Sequence, residues 1–121
     1  MIDLRELRRR LSAGEISPDQ ALLVVNDALM RNPSADWWVL RGQLIQLCES
    51  PGYELCMAAE SFESAARLEP DNPAPLEELG RFYDAVMAQP DRARAYYEAA
   101  IARGAGKSCS EALANLDSDD E

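Results

Sequence analysis

The chain has 121 residues, 47% of them apolar, which suits one domain with a moderate core rather than two. Its 22 acidic side chains outnumber 12 basic ones for a formal net charge of −10, and histidine is absent. That balance argues against nucleic-acid binding, which needs a basic face for phosphates, and the missing histidine removes the usual base of nucleophilic catalysis and a favoured zinc ligand.

The first segment, about residues 2–13, places Leu4, Leu7 and Leu11 at i, i+3 and i+7, one face of a helix. Charges interrupt its apolar residues throughout, so it has no signal-peptide core. Gly14 ends it. Ser17-Pro18-Asp19 opens a second helix, with Ser17 as cap and Pro18 at the first helical position. That helix runs to about residue 30 with Ala21, Leu22, Val25, Ala28 and Leu29 on its apolar face, and Asn32-Pro33 stops it. The longest apolar run, 21–25, is far too short to cross a bilayer.

A third helix, about 34–48, carries Trp37, Leu40, Leu44 and Leu47 on one face. Ser50-Pro51-Gly52 breaks it and predicts an extended loop over 49–55. The fourth helix, about 55–68, turns Ala58, Ala59, Phe62, Ala65 and Ala66 inward, before the break at 69–73. A fifth, about 74–88, bears Leu76, Leu79, Tyr83 and Val86. Gln89-Pro90-Asp91 turns the chain into a sixth, about 91–103, with Ala93, Tyr97, Ala100 and Ile101 inward. Beyond Gly104-Ala105-Gly106, a short segment within 108–116 can cap the array through Ala112, Leu113 and Leu116, leaving an acidic tail at 117–121.

Two patterns recur along this series. Leu4, Leu7 and Leu11 share their spacing with Trp37, Leu40 and Leu44, and with Leu76, Leu79 and Tyr83. Each is followed by a second set: Ala21, Val25, Ala28 and Pro33; Ala58, Phe62, Ala65 and Pro70; Ala93, Tyr97 and Ala100. A repeat of this period means stacked helical hairpins. At these residues the chain resembles the tetratricopeptide repeat family, whose pattern runs W-x2-L-G-x2-Y and then A-x3-F, Ala and Pro. The resemblance covers about residues 2–105 and implies an all-α, right-handed helical-hairpin solenoid of three units, about 2–33, 34–72 and 73–105, with a C-terminal capping helix. In it, Ala21, Ala58 and Ala93 take the close crossing within each hairpin, while Val25, Phe62 and Tyr97 fill the space between hairpins. One departure stands out. The small residue after the second leucine is Gly80 in the third unit, but Arg8 and Arg41 hold that place in the first two. Either those hairpins are splayed or the register slips, and Gly42, one place on, points to a slip in the second.

The resemblance also implies a concave groove lined by the first helix of each unit. Arg5, Arg9 and Ser12 are then expected to face it from the first, Trp38, Ile45 and Gln46 from the second, and Glu77, Arg81 and Asp84 from the third. Trp38 can be an exposed anchor, or it can join Trp37 in the core or cover a neighbouring helix. Arg5 and Arg9, one turn apart, can address one anionic group or pair with Asp3 and Glu6. Lys107, the only lysine, lies outside the repeats, so the Lys and Asn clamp by which some members hold a terminal carboxylate is not carried over.

The three cysteines, Cys48, Cys56 and Cys109, form no C-x-x-C pair and read as reduced thiols. Gly104 to Ser108 echoes a phosphate loop without the strand that motif needs, so it reads as a helix stop. The expectation is a cytoplasmic, non-catalytic, monomeric or weakly self-associating adaptor or chaperone-like module. It binds a protein or peptide, with no cofactor, metal, nucleic acid or membrane. Two rivals remain: an acidic inhibitor or immunity protein that neutralises a basic partner, and a structural subunit that stacks through its terminal hairpins.

Overall fold

The structure is a computed structural model and describes residues 2–119. Among the described residues there are seven α-helices and no strand. They are α1 (Leu4–Ser12), α2 (Pro18–Arg31), α3 (Ala35–Ile45), α4 (Leu55–Leu68), α5 (Pro73–Arg81), α6 (Pro90–Ala102) and α7 (Lys107–Asp119). The all-α class follows directly, and the helix starts show why. Asp3, Ser17, Ser34 and Asn72 each accept a hydrogen bond from a backbone N–H of the turn they open. At α2 the cap is reciprocal, because the Gln20 side chain also accepts from the Ser17 N–H at 3.1 Å. Proline occupies the first helical position of α2, α5 and α6, where its missing N–H costs nothing.

Three elements differ from expectation. Helix α3 stops at Ile45, because the N–H groups of Leu47 and Cys48 both converge on the Leu44 carbonyl and close the last turn early. Helix α5 does not run evenly to residue 88; it widens into a π-helical turn over Phe82–Val86. There the Met87 N–H reaches back to Phe82 O at 3.1 Å, and Ala88 follows with φ of 52°, left-handed without being glycine. The wide turn accompanies burial of two consecutive aromatics, Phe82 and Tyr83, with ring centroids 5.3 Å apart; Tyr83 also stacks on Tyr96 at 5.6 Å. Helix α7 starts at Lys107 and is helical to Asp119, through most of the stretch read as a tail; Asp120 and Glu121 lie outside the described residues.

The chain divides into two compact units at the Ala65–Ala66 junction inside α4. In the first unit, α1 and α3 both pack on α2. Its core holds Leu7, Leu22, Val25, Leu44 and Phe62, with Ala21 and Ala58 each 0% exposed. In the second, α6 packs against both α5 and α7, around Leu79, Ala93, Tyr97, Ala100, Cys109 and Leu116.

Each unit contains the same lock. A Cβ built on Gly42 would lie 2.5 Å from the Phe62 ring, and one on Gly80 would lie 2.6 Å from the Tyr97 ring. A backbone can approach an aromatic ring this closely only where no side chain intervenes. The glycine in α3 is therefore Gly42 and not the residue at position 41, so the register slips by one residue there. Trp38, Arg41 and Ile45 then stand in α3 where Leu76, Leu79 and Tyr83 stand in the second unit.

Candidate ligand-binding clefts

The slip rotates the faces of α3 and redistributes the residues expected in a groove. Ile45 is 4% exposed, so it is a core residue and offers no surface to a partner; the expectation that it lines a groove is corrected. Trp38 is half-buried. The Gln46 amide is turned back onto its own helix, donating to Gly42 O at 3.3 Å. On α1, Arg5 is exposed, whereas Arg9 is held by Glu6 at 2.8 Å and by Glu15 at 3.1 Å. Arg10 also bonds Glu6, and these two guanidinium groups pull the Glu6 carboxyl down to about 2. Arg9 is thus tied up in exposed pairs with its own helix and with the turn that follows it.

In the second unit, Glu77 and Arg81 meet one turn apart at 3.4 Å, and Arg81 also reaches Glu78 at 3.3 Å and Ser108 Oγ at 3.4 Å. Asp84 accepts a hydrogen bond from the Tyr97 hydroxyl at 3.3 Å. Burial, and then the Asp84 charge, push that phenol up to about 12. These side chains tie α5 to α6 and α7.

Two clefts in the first unit are better formed. One, of about 340 Å³, lies between α1 and α3 and includes the start of α2. Its apolar wall comes from Leu11, Ile16, Leu40 and Leu47, and Ser12 also lines it. Leu47 is 66% exposed at its mouth. Arg8 donates to the Gln43 side chain at 3.2 Å, joining the two helices across it.

The other cleft, of about 380 Å³, lies among α2, α3 and α4. Leu29, Met30 and Trp38 form its apolar side, and Asn26, Arg41, Glu60, Ser61 and Ser64 its polar side. Arg41 is held by two hydrogen bonds and two aromatic rings. Its Nε donates to Asn26 Oδ1 at 3.0 Å and its Nη1 to Ser61 Oγ at 2.7 Å. Its guanidinium lies 5.9 Å from the Trp38 ring centroid and 5.8 Å from that of Tyr53. Asn26 in turn donates to the Tyr53 hydroxyl at 2.8 Å, and Ser61, itself 0% exposed, donates to Met57 O at 2.9 Å. Sequence reasoning met Arg41 only as a departure from the repeat pattern and passed over Asn26 and Ser61; the one signal for the cluster was Gly42, which moves Arg41 onto the packing face.

Tyr53 belongs to the loop between α3 and α4, and Asp19 fastens that loop. Its carboxylate accepts from the N–H groups of Glu49 and Ser50 and from the Ser50 hydroxyl. The Ser50 hydroxyl is the main cause that lowers the Asp19 carboxyl below its ordinary value of 3.8, with the two N–H groups adding to it. A lowered folded value means that the stabilisation is present above 3.8 and disappears as pH falls through the folded value. Asp19→Asn is therefore expected to melt below the native chain at neutral pH and to converge with it in acid, measured by thermal melts across pH. A gap that does not narrow as pH falls below 3.8 would refute the assignment.

Among the described residues no helix is long and apolar enough to cross a membrane, and no three carboxylates or thiols gather as a metal site. The sequence matches no protein-family profile and no curated protein, so a functional reading rests on the clefts themselves.

Proposed function

We propose that the chain is a protein-interaction module built as a tetratricopeptide-like solenoid of three hairpins with α7 as its cap, and that it holds a peptide segment of a partner in the cleft between α1 and α3. The recurrence of the glycine–aromatic lock supports the hairpin reading. The observation that carries the binding reading is the Leu47 cleft: an apolar recess of about 340 Å³ with an exposed leucine at its mouth and a cation at its rim. An extended peptide that seats one apolar side chain against Leu11 and Ile16, with a carboxylate beside Arg8, matches that chemistry. The reading is of a binding role and includes no catalytic step.

Selection of displayed random peptides against the whole chain tests it. Peptides carrying an apolar anchor are expected, and Leu47→Asp should weaken a synthetic copy by about tenfold or more, measured by fluorescence anisotropy. Leu47 is exposed, so the substitution leaves the core intact. Failure to select any peptide, or equal affinity for both proteins, would sink the reading.

One observation favours a second role, that of an acidic inhibitor of a basic protein. The net charge is −10 with every basic side chain counted, and Arg9, Arg10, Arg31 and Arg81 are each paired to carboxylates and so do not gather into a free basic patch. Binding that falls by about tenfold between low and high salt and ignores Leu47→Asp would select that role instead.

A further inference from the structure

We infer that the cleft among α2, α3 and α4 is a binding site for a small organic monocarboxylate bearing an alkyl or aryl group, with Arg41 as its anchor. The inference concerns a different cleft from the peptide site and stands independently of it.

Arg41 is out of place as a packing residue. It stands immediately before Gly42 as Leu79 stands before Gly80, and Leu79 is 1% exposed. A leucine would fill such a position without polar partners. The arginine instead requires Asn26, Ser61, Trp38 and Tyr53 to hold it. It is held without being neutralised. In this acidic chain Arg41 makes no ion pair with a carboxylate among the described residues, and its Nη2 has no acceptor there.

Arg41 lines a cleft of about 380 Å³, near the lower end of volumes that take a small ligand. A guanidinium whose orientation is locked by its neighbours recognises a planar carboxylate with little further ordering. Leu29, Met30 and Trp38 supply the surface for an apolar tail. Glu60 lines the same cleft and narrows the choice: a doubly charged phosphate would meet its carboxylate, whereas a monocarboxylate carries the least charge that Arg41 can pair.

Titration of the isotopically labelled full chain with phenylacetate, followed at the Trp38 indole N–H and the Asn26 side-chain amide by NMR, tests the site. Saturable shifts at both groups are expected, with phenylacetamide and inorganic phosphate leaving them unmoved. Arg41→Gln should abolish the saturation. Because that change can loosen the packing of α3, a second variant is read beside it. Met30→Glu, at a residue 87% exposed on the rim, leaves the fold alone and should weaken phenylacetate by about fivefold at low salt through like-charge repulsion. Absence of saturable shifts, equal shifts with phenylacetamide, stronger binding of phosphate, or unchanged binding in Met30→Glu would each overturn the proposal.

Discussion

Phe62→Ala is expected to cost the first unit about 3–5 kcal/mol, the range for emptying a buried aromatic site. Phe62 is 0% exposed, and its ring is the surface on which the bare backbone of Gly42 rests. Removing it opens a cavity between α3 and α4 that neither helix can close by itself, because Arg41 is bonded to Ser61 one residue away from both members of the lock. Both tryptophans, Trp37 and Trp38, lie in this unit, so tryptophan emission reports its unfolding while circular dichroism reports all helices. In urea, the emission midpoint should fall sharply. A loss below about 1 kcal/mol would mean that Phe62 does not hold α3 and α4 together.

The second large effect is at the matching position of the other unit. Gly80→Ala adds a Cβ 2.6 Å from the Tyr97 ring atoms, a distance at which something must move. Alanine is the better helix former by about 1 kcal/mol, which favours the variant. Overpacking of about 1–3 kcal/mol opposes it. The ring cannot easily swing away, since Tyr97 is 2% exposed and its hydroxyl is bonded to Asp84. Overpacking wins, and a net loss of about 1–2 kcal/mol is expected from denaturant melts. Tyr97→Leu in the same chain relieves the clash, so the two changes together should be less harmful than their sum by about 1 kcal/mol or more. Strict additivity would show that the ring and the glycine do not meet.

Much of this architecture is legible in the order of residues. Caps and breakers act within one turn, so Ser17-Pro18, Ser34, Asn72-Pro73 and Gly104 announce helix boundaries without reference to anything distant. The alanines at 21, 58 and 93 are likewise read from their spacing, because a stripe of small residues at helical period marks where another helix approaches, and all three are 0% exposed. Where reading by spacing failed, the cause was a competition between faces. Helix α3 has two apolar stripes, one through Trp37, Leu40 and Leu44 and one through Trp38, Gly42 and Ile45. Periodicity alone cannot rank them, since a one-residue step rotates a helix by only about 100° and both stripes satisfy the pattern. Leu40 and Leu44 are buried as well as Ile45, and the Phe62 ring sets the rotation by seating against Gly42, the one residue of α3 without a side chain. That choice takes Ile45 out of reach of any partner and brings Arg41 beside Asn26 and Ser61.

The sequence by itself therefore determined the helices, where they start and which small residues are buried, because each depends on neighbours within a few positions. The rotation of α3, the widened turn at Phe82–Val86 and the gathering of Asn26, Arg41, Tyr53 and Ser61 were decided only by tertiary packing. Each of these depends on a ring or a donor that is distant along the chain and adjacent in space, and close packing admits one arrangement where periodicity admits two.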